Sequence, residues 1–201
     1  MGDWRQVHAV TREEMMKRVA RFKELRGSDG GLPDSDVPES RKTLYAVIGF
    51  QLPEEKLNEA TFSPVGDNAS NMPAIAISEG FNLAYVRAKP GKGTLMHNHD
   101  TNETFVAMTG RWRAEWNEGA AKEYVDLDPF DVISFPVGVA RRFVNVTYDE
   151  PDQEHILMAI TGGNQPQSEF TPDAMKRCEE WEQEKSVAPG LTAGLATRRR
   201  D

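Results

Sequence analysis

Between residues 43 and 160 apolar side chains recur at every second position in one short run after another. Residues 111–116 show it most plainly. Trp112, Ala114 and Trp116 fall on one side, and Arg111, Arg113 and Glu115 on the other. That is the period of a strand with one buried face. Residues 43–50, 74–77, 81–88, 104–108, 132–135, 142–146 and 156–160 read as further strands. Turn formers separate most of them: Pro90-Gly91, Asn117-Glu118-Gly119, Asp128-Pro129 and Pro136-Val137-Gly138. No intervening helical stretch is long enough for repeated parallel crossovers, so the pattern predicts an all-β sandwich or barrel. No internal repeat is apparent, so there is one barrel.

Helical spacing occurs only at the two ends. Thr11 and Glu14 form a capping box ahead of Met15, Val19, Phe22 and Arg26. A second helix is predicted over 172–184, with Thr171 as its cap and Met175, Cys178 and Trp181 or Glu182 facing inward. The expected organisation is an N-terminal helix and loop over 1–40, a β-barrel over 41–165, a C-terminal helix over 166–186 and a disordered tail over 187–201.

Composition narrows the function classes. The chain has 201 residues, room for one domain with a sizeable core. Its formal charge of -8 argues against nucleic-acid and anionic-membrane partners. The basic run Arg198-Arg199-Arg200 is too narrow to change that. No apolar run approaches the roughly 20 residues that span a bilayer. The start, Met1-Gly2-Asp3-Trp4-Arg5, lacks an apolar signal core, and the one cysteine, Cys178, excludes an internal disulfide. A cytoplasmic protein is the expectation.

The chemistry is concentrated between Gly91 and Gly110. His97 and His99 are two apart, so on a strand both imidazoles point to one face. Asp100-Thr101-Asn102 reads as a turn, after which Glu103 can return its carboxylate to the same point. Two imidazoles and one carboxylate with open positions suit a first-row divalent metal in the facial arrangement of non-haem iron sites.

The whole spacing resembles the first motif of the cupins: glycine, five residues, His-x-His, three residues, glutamate, six residues, glycine. Gly91, His97, His99, Glu103 and Gly110 occupy it. The second cupin motif resembles residues 130–145, with Asp131, Pro136, Gly138 and Asn145 in register. Two positions depart from it. Phe130 stands where glycine is usual, and Arg141 stands where the last metal-binding histidine belongs. The resemblance covers residues 81–160. It implies a cupin-type antiparallel β-barrel, a double-stranded β-helix or jelly roll, with flanking N- and C-terminal helices. It also implies a homodimer, for which residues 43–50 are the candidate edge strand.

Arginine stays protonated and cannot ligate a metal. Two readings follow. A metal held by His97, His99 and Glu103, with Arg141 beside it, leaves two net positive charges and a pocket for an anion. Alternatively, Arg141 pairs with Glu103 and replaces the metal. His155 is a candidate substitute ligand, although a surface position suits it better. Trp112, Trp116, Tyr85 and Phe143 are candidate substrate-binding residues, Met158 a weaker one, and core packing is the competing role for the tryptophans. Asn145 is read as a brace for the barrel. No Gly-x-Ser-x-Gly elbow, Walker loop or dinucleotide fingerprint competes.

Cupins include dioxygenases, decarboxylases, isomerases, lyases and binding modules, so the resemblance implies the fold more strongly than the activity. The expected function is a metal-dependent enzyme of the non-haem iron type, with iron first and manganese, nickel or zinc as alternatives. It would act on a small anionic or aromatic compound anchored by Arg141. The competing expectation is a small-molecule-binding or regulatory module with a degenerate metal site.

Overall fold

The computed structural model describes residues 5–51, 56–66 and 72–195. These residues form ten strands: β1 Thr43–Ile48, β2 Phe81–Ala88, β3 His97–His99, β4 Glu103–Ala107, β5 Trp112–Trp116, β6 Glu123–Leu127, β7 Val132–Phe135, β8 Arg141–Asn145, β9 His155–Gly162 and β10 Ser168–Phe170. They make two five-stranded sheets, ordered β1-β2-β9-β4-β7 and β10-β3-β8-β5-β6. Every strand pair is antiparallel. The arrangement is a jelly-roll sandwich of two facing sheets. Closure into one hydrogen-bonded cylinder is not seen among the described residues, since each sheet keeps its own edges.

Alternation decides which side chains meet between the sheets. β2 and β9 bury every second residue and pair along the full eight residues of β2. Their inward faces join Phe105 and Ala107 of β4 from the first sheet, and Trp112, Ala114 and Phe143 from the second. Phe105 and Trp112 have no exposed surface. Asn145 braces the layers, donating from Nδ2 to the Ala88 carbonyl at 2.8 Å and accepting the Thr147 N–H at 2.9 Å. Gly110 has φ 66°, and a Cβ there would run into the His155 ring and the Thr147 hydroxyl. The turn requires glycine for both reasons.

The ends depart from the expected helices. The first, α1, covers only Arg12–Met16, although its capping box forms as read. Met15, Val19 and Phe22 remain 48%, 43% and 43% exposed, so no buried stripe sustains a longer helix. The second, α2 Pro172–Leu195, is longer than predicted. Thr171 accepts the Ala174 N–H at 3.4 Å, and Ala174 and Cys178 are buried while Met175 is not. Burial pushes the Cys178 thiol up to about 11, the state of a packed and unreactive cysteine. Residues 196–201, with the basic run, lie outside the described residues.

Other strand readings also shift. Residues 74–77 contribute only a bridge from Ile75 to Ile48. β1 is an edge strand, but its outer side is already bonded, to Ser28 at Leu44 and to Ala74 and Ile75 at Ala46 and Val47. It is therefore not a bare edge for a second copy. No helix among the described residues is long and apolar enough to cross a membrane.

Candidate metal centre

β3 and β4 bring the three expected ligands together. His97 and His99 point inward from β3, and Glu103 opens β4 in the opposite sheet. Their ligand atoms all lie within 4.8 Å of one another, and all three residues are buried. Glu103 Oε2 is 3.2 Å from His99 Nε2 and 4.0 Å from His97 Nε2. Ligands bonded at ~2.1 Å and ~90° would stand about 3 Å apart, so a small contraction suffices for a transition metal.

The ring nitrogens facing away from the centre are held. His97 Nδ1 lies 2.9 Å from the Leu95 carbonyl. His99 Nδ1 lies 3.3 Å from the Gln167 carbonyl and 2.7 Å from the Ser168 hydroxyl. An Nδ1–H given to a carbonyl leaves the Nε2 lone pair aimed at the centre, the arrangement that orients metal-binding histidines. His99 Nε2 is buried, with Glu103 Oε2 facing it at 3.2 Å. Burial, then the neighbouring His99, lower His97 to about 3, which keeps its ring neutral. Burial pushes the Glu103 carboxyl up, but the His99 ring and Arg141 outweigh it and hold the group well below the usual carboxylate range. Two imidazoles and one carboxylate form a set that fits a divalent metal.

Arg141 opens β8 and pairs with His97 on one side and Trp116 on the other. Its side chain is fully buried. Nε donates to Glu103 Oε2 at 3.1 Å, and Nη1 donates to the Val139 carbonyl at 2.9 Å. Nη2 is buried without a partner. The guanidinium thus shares the Glu103 carboxylate with the histidines.

A cavity of about 40 Å³ adjoins the cluster. His97, His99, Glu103 and Phe143 line it, as do Leu32, Lys42, Thr94 and Thr161. That is room for roughly three waters and far less than the ~150 Å³ known to accept benzene. A cavity of this volume has no place for an aromatic ring. Trp112 is packed in the core against Phe143, with Nε1 donating to the Thr109 carbonyl at 3.0 Å. Trp116 packs near Phe135. Tyr85 lies on the opposite face of β2, edge-on to Phe22, and Met158 shares the outward parity of β9. Of the four expected substrate-lining aromatics only Phe143 borders the cavity.

His155 is buried, not on the surface, and its Nε2 stands 3.4 Å from Glu150. On β9 it is six positions from Thr161, which pairs with Glu103. That is roughly 20 Å along the strand, so His155 cannot join the cluster. Lys42, Thr94 and Leu32 were not anticipated. A lysine before an apolar strand and an Asp/Pro-rich loop carry no local signal for a cavity wall.

No family model matches the chain, and no curated protein matches it. Solved structures do. An oxalate oxidase structure is 13% identical over 77% of this chain and 63% of its own, with a TM-score of 0.50. The chain shares the fold of that oxalate oxidase. A vicilin from Corylus avellana (hazelnut) is 14% identical over 73% of this chain, with a TM-score of 0.45. An oxalate decarboxylase from Lactobacillus farciminis, in complex with formate, is 11% identical over 73% of this chain, with a TM-score of 0.46. The chain spans 32% of that vicilin's length and 33% of that decarboxylase's.

Proposed function

We propose that this cupin binds a divalent first-row metal through His97, His99 and Glu103 and is a metal-dependent enzyme for a small anionic substrate. The observation that carries the reading is the convergence of two imidazole Nε2 atoms on one buried carboxylate, with the outer nitrogen of each ring held. The donor set fits iron first, with manganese, nickel or zinc as alternatives. A bound metal would supply Lewis acidity or, if iron, oxygen chemistry. Arg141 would bind the substrate's negative group through Nη2, which has no partner among the described residues. The small cavity favours a substrate of few atoms over an aromatic one.

The test is metal content and turnover in protein purified without chelator or histidine tag. Near one metal per chain, lost in His97→Ala together with activity, supports the reading. Arg141→Ala should raise KM for acidic substrates more than it lowers kcat. Wild-type protein that takes up no metal, even after anaerobic loading with iron, would overturn it. A second reading draws on the 3.1 Å contact between Arg141 and Glu103: the guanidinium takes the cation's place and the protein is a metal-free ligand-binding module. It predicts tight ligand binding in chelator-treated protein.

A further inference from the structure

Apart from Arg141 and Glu103, the described residues hold one buried pair of oppositely charged carboxylate and ammonium groups, Asp34 and Lys42. Such a pair is costly to strip of water unless other hydrogen bonds complete it. Here they do. Lys42 Nζ lies 3.0 Å from each carboxylate oxygen of Asp34. Oδ2 also accepts the Ser40 hydroxyl, the Thr94 hydroxyl at 3.1 Å and the Leu95 N–H at 3.1 Å. Leu95 in turn presents its carbonyl to His97 Nδ1 at 2.9 Å. One residue is thus held at its N–H by Asp34 and holds the expected ligand at its carbonyl. The segment that carries Asp34 also supplies Leu32 to the cavity wall.

We propose that Asp34 is a positioning residue for His97. It clamps Leu95, and the clamped carbonyl keeps the His97 ring in the Nδ1–H tautomer with Nε2 facing Glu103. The inference rests on the metal-binding reading above, but its first readout needs no metal. Partners at this remove from a metal typically govern affinity by their hold on the ligand's direction.

Two double variants isolate the effect. Asp34→Asn with Lys42→Met removes both charges and keeps an acceptor for Leu95. Asp34→Ala with Lys42→Met removes the acceptor as well. Nitrogen-15 shifts of the His97 ring in metal-free protein should report the Nδ1–H tautomer in wild type and in the asparagine variant, and a mixture in the alanine variant. Titration with Mn²⁺ should show affinity roughly 10–100-fold weaker in the alanine variant than in the asparagine variant, which shares its loss of both charges. A folded alanine variant with the wild-type tautomer and wild-type Mn²⁺ affinity would overturn the proposal, because a purely structural Asp34 would change melting alone. If wild type binds no Mn²⁺ yet the tautomer responds as described, the metal reading falls and the positioning role stands. Should the alanine variant not fold, hydrogen exchange of the Leu95 amide in wild type decides. Slow exchange supports the clamp, and exchange at the rate of a free peptide refutes it.

Discussion

Arg141→Met separates the two roles that the guanidinium can play toward Glu103. The arginine is fully buried and contributes one hydrogen bond to Glu103 and one to the Val139 carbonyl. Methionine fills similar space without charge. Removing one member of a buried pair leaves its partner uncompensated and costs about 3–5 kcal/mol. In a chain of this size each kcal/mol moves the melting temperature by ~2–4 °C, so the metal-free variant should melt roughly 6–20 °C below wild type. A divalent metal reverses the sign. Unit charges about 4 Å apart interact by ~4 kcal/mol at an effective dielectric near 20, so the guanidinium opposes a doubly charged ion by several kcal/mol. Its removal should tighten Mn²⁺ binding by at least about tenfold, a change of ~1.4 kcal/mol. Metal at about 100 times Kd returns ~2.7 kcal/mol of stability. Calorimetric melting with and without chelator reads the first effect, and Mn²⁺ titration of both proteins reads the second. A variant whose Mn²⁺ affinity equals or falls below that of wild type would refute the reasoning, since the like charge would then not face the site.

Three further outcomes follow from single positions. Phe130 has φ 76° yet is 75% exposed, so Phe130→Gly relieves left-handed strain while giving up little burial. It should stabilise the fold by up to about 1 kcal/mol, a rise of a few degrees in melting temperature, and a fall would contradict this. Gly110→Ala should be damaging, by roughly 2–4 kcal/mol in denaturant titration, because it combines φ 66° with a clash against the His155 ring. Near-wild-type stability would mean the β9 end repacks freely. Burial pushes Asp34 up, but Lys42 and the hydrogen bonds from Ser40 and Leu95 outweigh it, so its folded pKa lies below the unfolded value near ~3.9. Its contribution is therefore complete above about pH 5 and lost as pH falls through the folded pKa. Melting between about pH 2 and pH 6 should show this slope in wild type and a flatter one in Asp34→Asn with Lys42→Met.

The site was more legible than the frame that holds it. His97, His99 and Glu103 were readable because a two-residue period and a three-residue turn determine where their side chains go. Arg141 was readable because it sits between Pro136, Gly138 and Asn145, whose positions set its register. Strand parity failed at Tyr85: residues 81–88 carry apolar groups on both faces, so alternation alone does not say which set is inside. β6 escaped notice because four of its five residues are exposed on an edge strand. β3 and β10 are three residues long and take their conformation from pairing with each other. At the N-terminus the capping box formed and the helix stopped, because local hydrogen bonds start a helix and only burial extends it.

The two readings of Arg141 meet at one carboxylate. An ionised glutamate offers two oxygens and about four lone-pair sites. Arg141 Nε uses one direction at Glu103 Oε2, so a metal and a guanidinium can be served together. With a metal bound, two cations would share one anion. Any small acid that reached Arg141 would compete with Glu103 for its guanidinium. A histidine at position 141 would add a fourth ligand and remove this competition. On the proposed reading, arginine at position 141 would favour anion affinity over metal affinity, so metal retention and anion recognition have to be measured on the same protein.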